Sequence, residues 1–477
     1  MFDDKGKREY HQCKETFLKE RKKIMNQKTQ DGIYDVKQLG AGKTIVLGFQ
    51  HMFAMFGATV LVPLLTGLDV STTLLFAGLG TLLFHLLTKF KVPAFLGSSF
   101  AFLGGYAAIA PILEDGSSNV EMLPYACFGV ACAGLLYLVM AGLIKIFSVK
   151  RIMKYFPPIV TGPIIIAIGL TLSKSAIDNC SANWWIALVA ILVVIICNIF
   201  GKGMIKIVPI LIGVIVSYIV GVCMGEVDFT IVREAAWFKI PIVKDMTVFG
   251  LFDDNFDVSM LITSIITIMP IALATIVEHI GDISAISSTT GKNYIKEPGL
   301  HRTLLGDGLA TIVASLFGAP ANTTYGENTG VLNLSKVYDP FVVRLAAGLA
   351  ILFSFCPKFA AIIQAMPTAT VGGISLILYG MISAVGVRNI VENKVDFTKS
   401  RNVIIAALIL VLSIGVNYSA AGAIAFSVGS ITISLSGLAV GALVGIILNA
   451  ILPEKDYEFD EEEPDDTGVN FEVGQSH

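Results

Sequence analysis

The chain has 477 residues, of which 54% are hydrophobic and only 15% are charged, and its mean hydropathy is +0.74. A soluble protein carries roughly 25% charged residues, so this composition excludes an ordinary soluble domain and predicts an integral membrane protein. The formal net charge of −3 comes without a basic domain, and no nucleic-acid partner is expected.

The two ends of the chain are polar. Residues 1–43 are too polar for a secretory signal and are expected to form a cytoplasmic extension. Residues 453–477 are rich in acidic side chains, which repel one another, and they predict a solubilising cytoplasmic tail without fixed structure.

Apolar blocks of membrane-spanning length fill the region between the two ends. A helix crosses about 30 Å of hydrocarbon in roughly 20 residues, so these blocks favour helices over the short alternating strands of a membrane barrel. The predicted fold is an all-α polytopic membrane protein with 14 transmembrane segments. The predicted spans are residues 44–66, 72–88, 93–112, 124–147, 157–173, 184–200, 207–224, 258–280, 302–318, 322–335, 341–357, 366–387, 402–417 and 433–452.

The distribution of Lys and Arg sets the predicted orientation. Seventeen of these residues lie in loops after even-numbered spans and five in loops after odd-numbered spans. Because positive residues favour the cytoplasmic side, both termini are expected in the cytoplasm and the chain in the plasma (inner) membrane. An even count also lets the chain divide into two groups of seven spans with opposite orientations, which makes an inverted repeat possible.

Two pairs of similar segments, called sequence echoes below, support such a repeat. The segments VPAFLGSSFAF (residues 92–102) and APANTTYGEN (residues 319–328) share the order Pro, Ala, two small polar residues, an aromatic and a small residue. They fall in the third span of each half. Residues 157–162 and 367–372 form a similar pair in the fifth span of each half.

Spans 3 and 10 are broken by Gly, Pro and hydroxyl residues, which favour extended backbone. Extended backbone at membrane depth needs partners for its N–H and C=O groups, because each unpaired group costs several kcal/mol in hydrocarbon. We therefore expect two short antiparallel extended pieces, around Ser99 and Phe100 and around Tyr325 and Gly326, to pair with each other. The half-helices that follow would point their N-terminal N–H groups into a polar cavity.

Three acids in the apolar region indicate the chemistry of that cavity. Glu278 and Asp282 lie four residues apart and share one helical face, and Glu327 follows the second extended piece. Carboxylates that share a buried site raise each other's affinity for a proton, which is what a proton-coupled carrier needs. The alternative for Glu278 and Asp282 is a helix end from which the carboxylate reaches water, and for Asp282 the two possibilities are evenly balanced.

Other polar residues in the spans favour structural contacts. A polar contact between helices is the favoured interpretation of Asp307, and a satisfied interhelical contact that of His51 and His85. The adjacent pair Gln50 and His51 is the stronger candidate for a functional role. The seven cysteines show no CxxC spacing, and HExxH, GxSxG and Walker motifs are absent, so no metal, cofactor or enzymatic activity is expected.

Five segments together resemble a known family: QHMFAMFGATVLVPLLTG (50–67), VPAFLGSSFAF (92–102), VEHIGDI (277–283), EPGLHRTLLGDGLAT (297–311) and NTTYGENTGVLNLSK (322–336). They are similar to the nucleobase–ascorbate transporters (nucleobase:cation symporters), specifically to the bacterial uracil permease branch. The resemblance covers nearly the whole membrane region.

The resemblance implies a division into two domains. Spans 1–4 and 8–11 (residues 44–147 and 258–357) would form a core domain, and spans 5–7 and 12–14 (residues 148–257 and 358–452) a gate domain. It further implies a homodimer that imports uracil with a proton, by elevator-like movement of the core against the gate.

The family signature appears here as ENTGVLNLSK, with Ser335 where the family has Thr. Its first residue, Glu327, resembles the uracil branch, since purine and xanthine branches usually carry Gln there. A carboxylate accepts hydrogen bonds from the ring N–H groups of uracil, whereas Gln would present a donor that does not match them.

The resemblance also assigns further site residues. Glu278 would be the second substrate carboxylate, and with Asp282 the proton-coupling site. Asp282 stands where close uracil permeases have His, which leaves the proton stoichiometry open. The remaining assignments are backbone contacts to the uracil carbonyls at Phe100 and Gly326, packing around the ring by Ala58, Tyr325 and Tyr379, and polar support from Ser99, Asn328, Gln50 and His51.

Three alternatives stay open at this point. A xanthine or other purine symporter of the same family is the nearest. An anion channel or exchanger on the same architecture would favour basic residues in place of Glu278 and Glu327. A membrane enzyme lacks a candidate nucleophile.

Overall fold

The structure is a computed structural model that describes residues 32–113, 117–202, 204–252, 257–420, 422–428 and 431–453. Most of the expected cytoplasmic extension (residues 1–31) and the acidic tail from residue 454 onward lie outside the described residues, as does the side chain of Glu327.

Helices make up most of the first half of the chain. In chain order its elements are α1 (Ala41–Thr66), α2 (Val70–Leu87), strand β1 (Leu96–Ser98), α3 (Leu103–Ile109), α4 (Leu123–Phe147), α5 (Val149–Met153), α6 (Pro158–Ser181), α7 (Trp184–Phe200), α8 (Met204–Ile207), α9 (Pro209–Cys223) and α10 (Thr230–Glu234). Short 3-10 turns occupy Val36–Gln38, Phe100–Phe102, Lys244–Met246 and Val248–Phe252.

The second half repeats the pattern of long helices around one broken span. Its elements are α11 (Val258–Ile268), a 3-10 turn (Met269–Ile271), α12 (Ala272–Thr290), a π turn (Ile295–Gly299), α13 (Leu300–Leu316), strand β2 (Asn322–Thr324), α14 (Gly326–Ser335), α15 (Pro340–Ser354), α16 (Pro357–Gln364), α17 (Thr368–Glu392), α18 (Ser400–Asn417), strands β3 (Ala423–Val428) and β4 (Ile431–Ser436), and α19 (Gly437–Ile451).

Among the described residues, seven helices are long and apolar enough to cross a membrane, or up to eight if α15 and α16, which meet at an 87° bend, count as one span. Four more apolar helices are shorter, including α7, α9 and α19. The structure therefore describes a multi-pass membrane protein, and the count of fourteen spans remains a prediction.

Antiparallel pairing joins β1 to β2. Leu96 lies opposite Thr324, and Ser98 lies opposite Asn322. The predicted pairing of two extended pieces from the broken spans is thus present. Its strands lie three residues earlier than expected, because Phe100 and Gly326 already begin helical turns.

The helices pack in two groups. In one group α13 packs against α4 and α2, while α15 packs against α1 and α2. In the other, α6 and α17 pack along their length, and α7, α9, α18 and α19 surround them. The division into a core and a gate domain remains a prediction.

Equivalent glycines shape the contact between α6 and α17. A Cβ atom on Gly162, near the start of α6, would lie 3.0 Å from the carbonyl oxygen of Gly386, near the end of α17. A Cβ atom on Gly372, near the start of α17, would lie 2.5 Å from the backbone nitrogen of Cys180, near the end of α6. The two residues come from the second sequence echo, so positions matched in sequence make reciprocal contacts in an antiparallel helix pair.

Two parts of the fold differ from the sequence-based expectation. Residues 433–436, placed in span 14, belong to β4, which pairs with β3 in a hairpin that the search for apolar blocks does not detect. Residues 32–39, expected in a free extension, are attached to the protein: Ile33 forms a parallel bridge to Val337, and the Tyr34 hydroxyl donates to the Thr290 carbonyl oxygen at 2.5 Å.

Candidate functional site

The site begins where the paired strands become helices. The Ser99 N–H donates to the Ala321 carbonyl oxygen, and the Tyr325 N–H donates to the Phe95 carbonyl oxygen, both at 3.0 Å. These two bonds extend the strand pairing by one residue on each side, and a helical turn starts immediately afterwards.

These helix starts lack the side-chain caps that α2 and α11 have. Asp69 caps α2 and Asp257 caps α11 through hydrogen bonds from their side chains to backbone N–H groups. Neither Ser99 nor Tyr325, the N-cap residues of the two central helical segments, makes such a bond. The first N–H groups of a helix have no partner within it, so these segments present donors toward the space between them.

A cavity lies beside the strand pair, between α12 on one side and α6 and α17 on the other. It encloses about 1120 Å³ of empty space, counting the solvent at its mouth. Of the predicted site residues, its lining includes Ser99, Phe100, Glu278, Asp282, Tyr325 and Gly326. The described lining contains two carboxylates and no lysine or arginine.

Helix α12 carries both carboxylates in its interior rather than at its end. Glu278 is partly exposed to the cavity, while Asp282, one turn later, is 2% exposed. The Thr324 hydroxyl donates to Asp282 Oδ2 at 2.8 Å, which ties the carboxylate to strand β2. This position does not match the alternative of a helix-end acid that reaches bulk water.

Behind the strand pair, a second set of polar side chains links α12 to α13. His279 Nδ1 lies 3.1 Å from Asp307 Oδ2 and 3.3 Å from the Thr324 hydroxyl. Asp307 is fully buried, and its contact with His279 joins two helices. A polar contact between helices was the favoured interpretation of this residue. His85 also makes a buried polar contact, because its Nε2 lies 2.8 Å from the Ala94 carbonyl oxygen.

Tyr325 lines the cavity, but its hydroxyl points into the protein. The hydroxyl donates to the Ser98 carbonyl oxygen at 2.8 Å and accepts from the Thr59 hydroxyl at 3.3 Å. Its ring lies against Gly97, where a Cβ atom would be 2.6 Å from two ring atoms. Glycine at this position in β1 therefore makes room for the tyrosine that follows β2.

The predicted ring-packing residues Ala58 and Tyr379 do not line the cavity. They are 1% and 2% exposed and belong to a buried apolar cluster that also contains Phe100 and Tyr325. The rings of Phe100 and Tyr379 meet edge to face with centroids 5.8 Å apart. This contact joins the first broken span to α17 beside the cavity that Phe100 lines.

The predicted supporting residues Asn328 and His51 meet at a distance from the lining. Asn328 donates to the His51 carbonyl oxygen at 2.9 Å and lies 3.1 Å from His51 Nδ1. This contact joins the first turn of α14 to the middle of α1. Gln50, another predicted supporting residue, does not line the cavity. The predicted substrate residue Glu327 is the second residue of α14.

Sequence reasoning assigned no role to several polar residues of the lining, among them Thr161, Asn389 and Thr324. Thr161 and Asn389 hydrogen bond to each other at 2.8 Å across α6 and α17, and Thr324 holds Asp282. Thr161 lies within the echo at residues 157–162, which was a usable signal. Asn389 lies beyond the predicted end of span 12, and no sequence pattern distinguished it.

Comparisons with known proteins agree with this architecture. Residues 42–422 match the family model Xan_ur_permease, described as "Permease family". The chain is 40% identical over 421 residues to the uracil permease of Bacillus caldolyticus, covering 86% of this chain and 92% of the relative. It is 36% identical over 423 residues to the uracil permease of Escherichia coli K12, covering 86% and 91%.

Solved structures share the fold at low sequence identity. The transmembrane domain of the cyanobacterial bicarbonate transporter BicA matches with a TM-score of 0.56 and 15% identity, over 88% of this chain and 99% of that domain. The structure of SLC26A9 matches with a TM-score of 0.57 and 12% identity, over 88% of this chain and 66% of the other. The chain therefore belongs to the nucleobase–ascorbate transporter family and is a multi-pass membrane permease, not an enzyme.

Proposed function

We propose that this chain imports uracil together with a proton across the plasma membrane. The observation that carries the proposal is the cavity in which Glu278 faces two uncapped helix starts, at Phe100 and Gly326. Uracil is a flat, neutral ring with two N–H donors and two carbonyl acceptors. A carboxylate opposite backbone N–H groups offers the complementary set. The names of the relatives, uracil permeases at 36–40% identity, support the same substrate.

The charge of the cavity supports a neutral substrate and a coupling proton. An anion would meet Glu278 and Asp282, with no lysine or arginine among the described lining residues to offset them. This disfavours anion exchange despite the fold shared with bicarbonate and anion transporters. A proton on Glu278 would remove the charge that otherwise costs energy when the site moves through the membrane.

We assign the direction in which the cavity opens from the charged residues near its lining. Met153, Phe156 and Pro158 line the cavity, and Lys150, Arg151 and Lys154 neighbour them in the sequence. Since cationic loops favour the cytoplasm, we assign the mouth to the cytoplasmic side and the arrangement to an inward-open state. In this assignment the Phe100–Tyr379 contact closes the external side.

Transport would then require the two helix groups to move past each other. The group with α1–α4 and α11–α15 would be the core that carries the site, and α5–α10 with α16–α19 the gate. The elevator-like movement, the homodimer and the cytoplasmic placement of both termini belong to this proposal and are supported by the family resemblance.

Uptake of labelled uracil tests the proposal. Cells that lack other nucleobase carriers should accumulate uracil when they express this chain, and a protonophore should abolish the accumulation. Excess unlabelled uracil should compete, whereas xanthine should compete weakly. Competition by xanthine but not by uracil would instead identify the chain as a purine carrier, the alternative within the family.

A further inference from the structure

The two walls of the cavity differ in polarity. The wall formed by α12 and the strand pair carries acids and hydroxyls, including Glu278, Asp282 and Thr324. Helices α6 and α17 form the other wall, and to the described lining they contribute two polar side chains, Thr161 and Asn389. The remaining lining residues of these two helices are apolar. A polar pair in an apolar wall needs a reason, because burying polar groups costs free energy.

The two polar residues of this wall hold each other in place. Each is 4% exposed, and Asn389 Nδ2 donates to the Thr161 hydroxyl oxygen at 2.8 Å. One turn further along α17, Asn393 Nδ2 donates to Asn389 Oδ1 at 3.0 Å. This second bond fixes which end of the Asn389 carboxamide is the donor. The pair is therefore a defined polar feature of the wall.

Two hydrogen-bond donors of the pair are not used within the protein. A threonine hydroxyl can donate one hydrogen bond, and an asparagine amide can donate two. Among the described residues, the Thr161 hydroxyl only accepts, and Asn389 Nδ2 makes only its bond to Thr161. A contact that served helix packing alone has no use for these donors, and a buried donor without a partner destabilises a fold.

The packing of α6 on α17 does not depend on a hydroxyl at this position. In the second sequence echo, Val371 of α17 takes the place that Thr161 has in α6. The next residues, Gly162 and Gly372, make the reciprocal close contacts at the two ends of the helix pair. The end with Val371 therefore packs closely without this hydroxyl. Thr161 belongs to the end that lines the cavity.

The pair lies toward one end of the cavity. Thr161 is in the first turn of α6 and Asn389 in the last turn of α17, at the end assigned above to the cytoplasmic mouth. From Tyr379 to Asn389, α17 advances roughly 15 Å. This distance exceeds the width of a pyrimidine ring. A nucleobase at the pair thus occupies a different part of the cavity from one beside the contact between Phe100 and Tyr379.

We propose that Thr161 and Asn389 form a second contact for the nucleobase, in which they donate hydrogen bonds to a ring carbonyl. The inference rests on the proposed function, which makes uracil the substrate. Uracil carries two carbonyl acceptors, and the pair supplies the donors that match them. The contact holds the ring on its way between the central site at Glu278 and the cytoplasmic mouth.

Exchange of labelled uracil in membrane vesicles of both orientations tests the proposal. Substrate that enters inside-out vesicles passes the cytoplasmic mouth, so Thr161→Val should raise the half-saturating concentration there roughly fivefold, as expected for the loss of one neutral hydrogen bond. In right-side-out vesicles the substrate enters from the other face, and the half-saturating concentration should stay unchanged. Thr161→Ser keeps the hydroxyl and should behave like the unchanged chain on both faces.

Ser383→Ala is the matched control for helix packing. The Ser383 hydroxyl donates to the Ile166 carbonyl oxygen at 3.1 Å, so it also joins α17 to α6, but Ser383 is not among the described lining residues. This variant should leave the half-saturating concentration unchanged on both faces. The proposal would be overturned if Thr161→Val caused no rise or an equal rise on both faces, or if Ser383→Ala caused the same rise. A rise confined to right-side-out vesicles would support the contact and reverse the assigned direction of the mouth.

The inference and the proposed function fail in different ways. If the unchanged chain exchanges xanthine but not uracil, the proposed substrate is wrong. The same variants compared with xanthine then decide the inference, because xanthine also carries ring carbonyls. If the unchanged chain exchanges uracil and Thr161→Val matches it on both faces, the inference alone is wrong.

Discussion

Thr324→Val tests the link between the strand pair and the acidic helix. The Thr324 hydroxyl is 2.8 Å from Asp282 Oδ2 and 3.3 Å from His279 Nδ1, and the residue is only 3% exposed. Valine keeps the shape of the side chain and removes the donor. A hydrogen bond to a charged group contributes roughly 1.5–3 kcal/mol and one between neutral groups about 1 kcal/mol.

The size of the loss therefore depends on the charge of Asp282. With Asp282 ionised, we expect Thr324→Val to lower the free energy of unfolding by about 2 kcal/mol or more, and with it protonated by about 1 kcal/mol. Uracil affinity should fall as well, because Asp282 lines the cavity one turn from Glu278. Unfolding in mixed micelles and binding by calorimetry, each measured across pH, provide both quantities.

Two control variants separate the hydroxyl from the packing. Thr324→Ser keeps the donor and should retain most of the uracil affinity. Thr370→Val changes a buried threonine on α17 whose hydroxyl has no hydrogen-bond partner among the described residues, so it should cost little. If Thr324→Val were no more harmful than Thr370→Val, or Thr324→Ser as harmful as valine, the hydroxyl would not be what positions Asp282.

Three further substitutions address the site and the helix pair. Glu278→Gln fixes the neutral form, so remaining uracil binding should lose its pH dependence and proton-driven uptake should stop; normal proton-driven accumulation would exclude Glu278 as the essential proton carrier. Glu327→Gln should weaken uracil binding by about tenfold or more, or shift preference toward purines, and an unchanged affinity in equilibrium binding would remove its substrate role. Gly372→Ala places a methyl group 2.5 Å from the Cys180 backbone nitrogen and should destabilise the protein by about 1–3 kcal/mol, whereas Gly380→Ala, with open space around it, should be neutral or stabilising. Equal melting temperatures for these two glycine variants would contradict the close packing of α6 on α17.

Sequence alone predicted the parts of the fold that depend on local composition. Long apolar blocks became helices, and the Gly- and hydroxyl-rich segments at 92–102 and 319–328 became paired strands, because only pairing satisfies extended backbone at membrane depth. The β3–β4 hairpin was missed, and residues 433–436 of β4 were placed in the predicted last span because the apolar block begins there. The attachment of residues 32–39 was missed because it depends on contacts with residues about 300 positions later.

For the site, sequence spacing was enough to bring Glu278 and Asp282 to one face, because they lie on a single helix. It could not show that Ala58 and Tyr379 lie in a buried cluster with Phe100 rather than in the cavity lining, since that depends on how different spans pack together. Thr324 was missed for a related reason, as its partner Asp282 comes from a different span.

The strand pair explains why neither half of the chain could build the site alone. β1 and β2 are only three residues long, and each supplies the hydrogen-bond partners that the other needs at membrane depth. Each strand also ends at an uncapped helix start, so the two donors that face the cavity come from opposite halves. Two residues of the pair fix it to its surroundings: Gly97, which admits the Tyr325 ring, and Thr324, which binds Asp282. A substrate that bridges both helix starts would bind the strand pair as one unit, which is the geometric requirement for the core to move with its cargo as a rigid body.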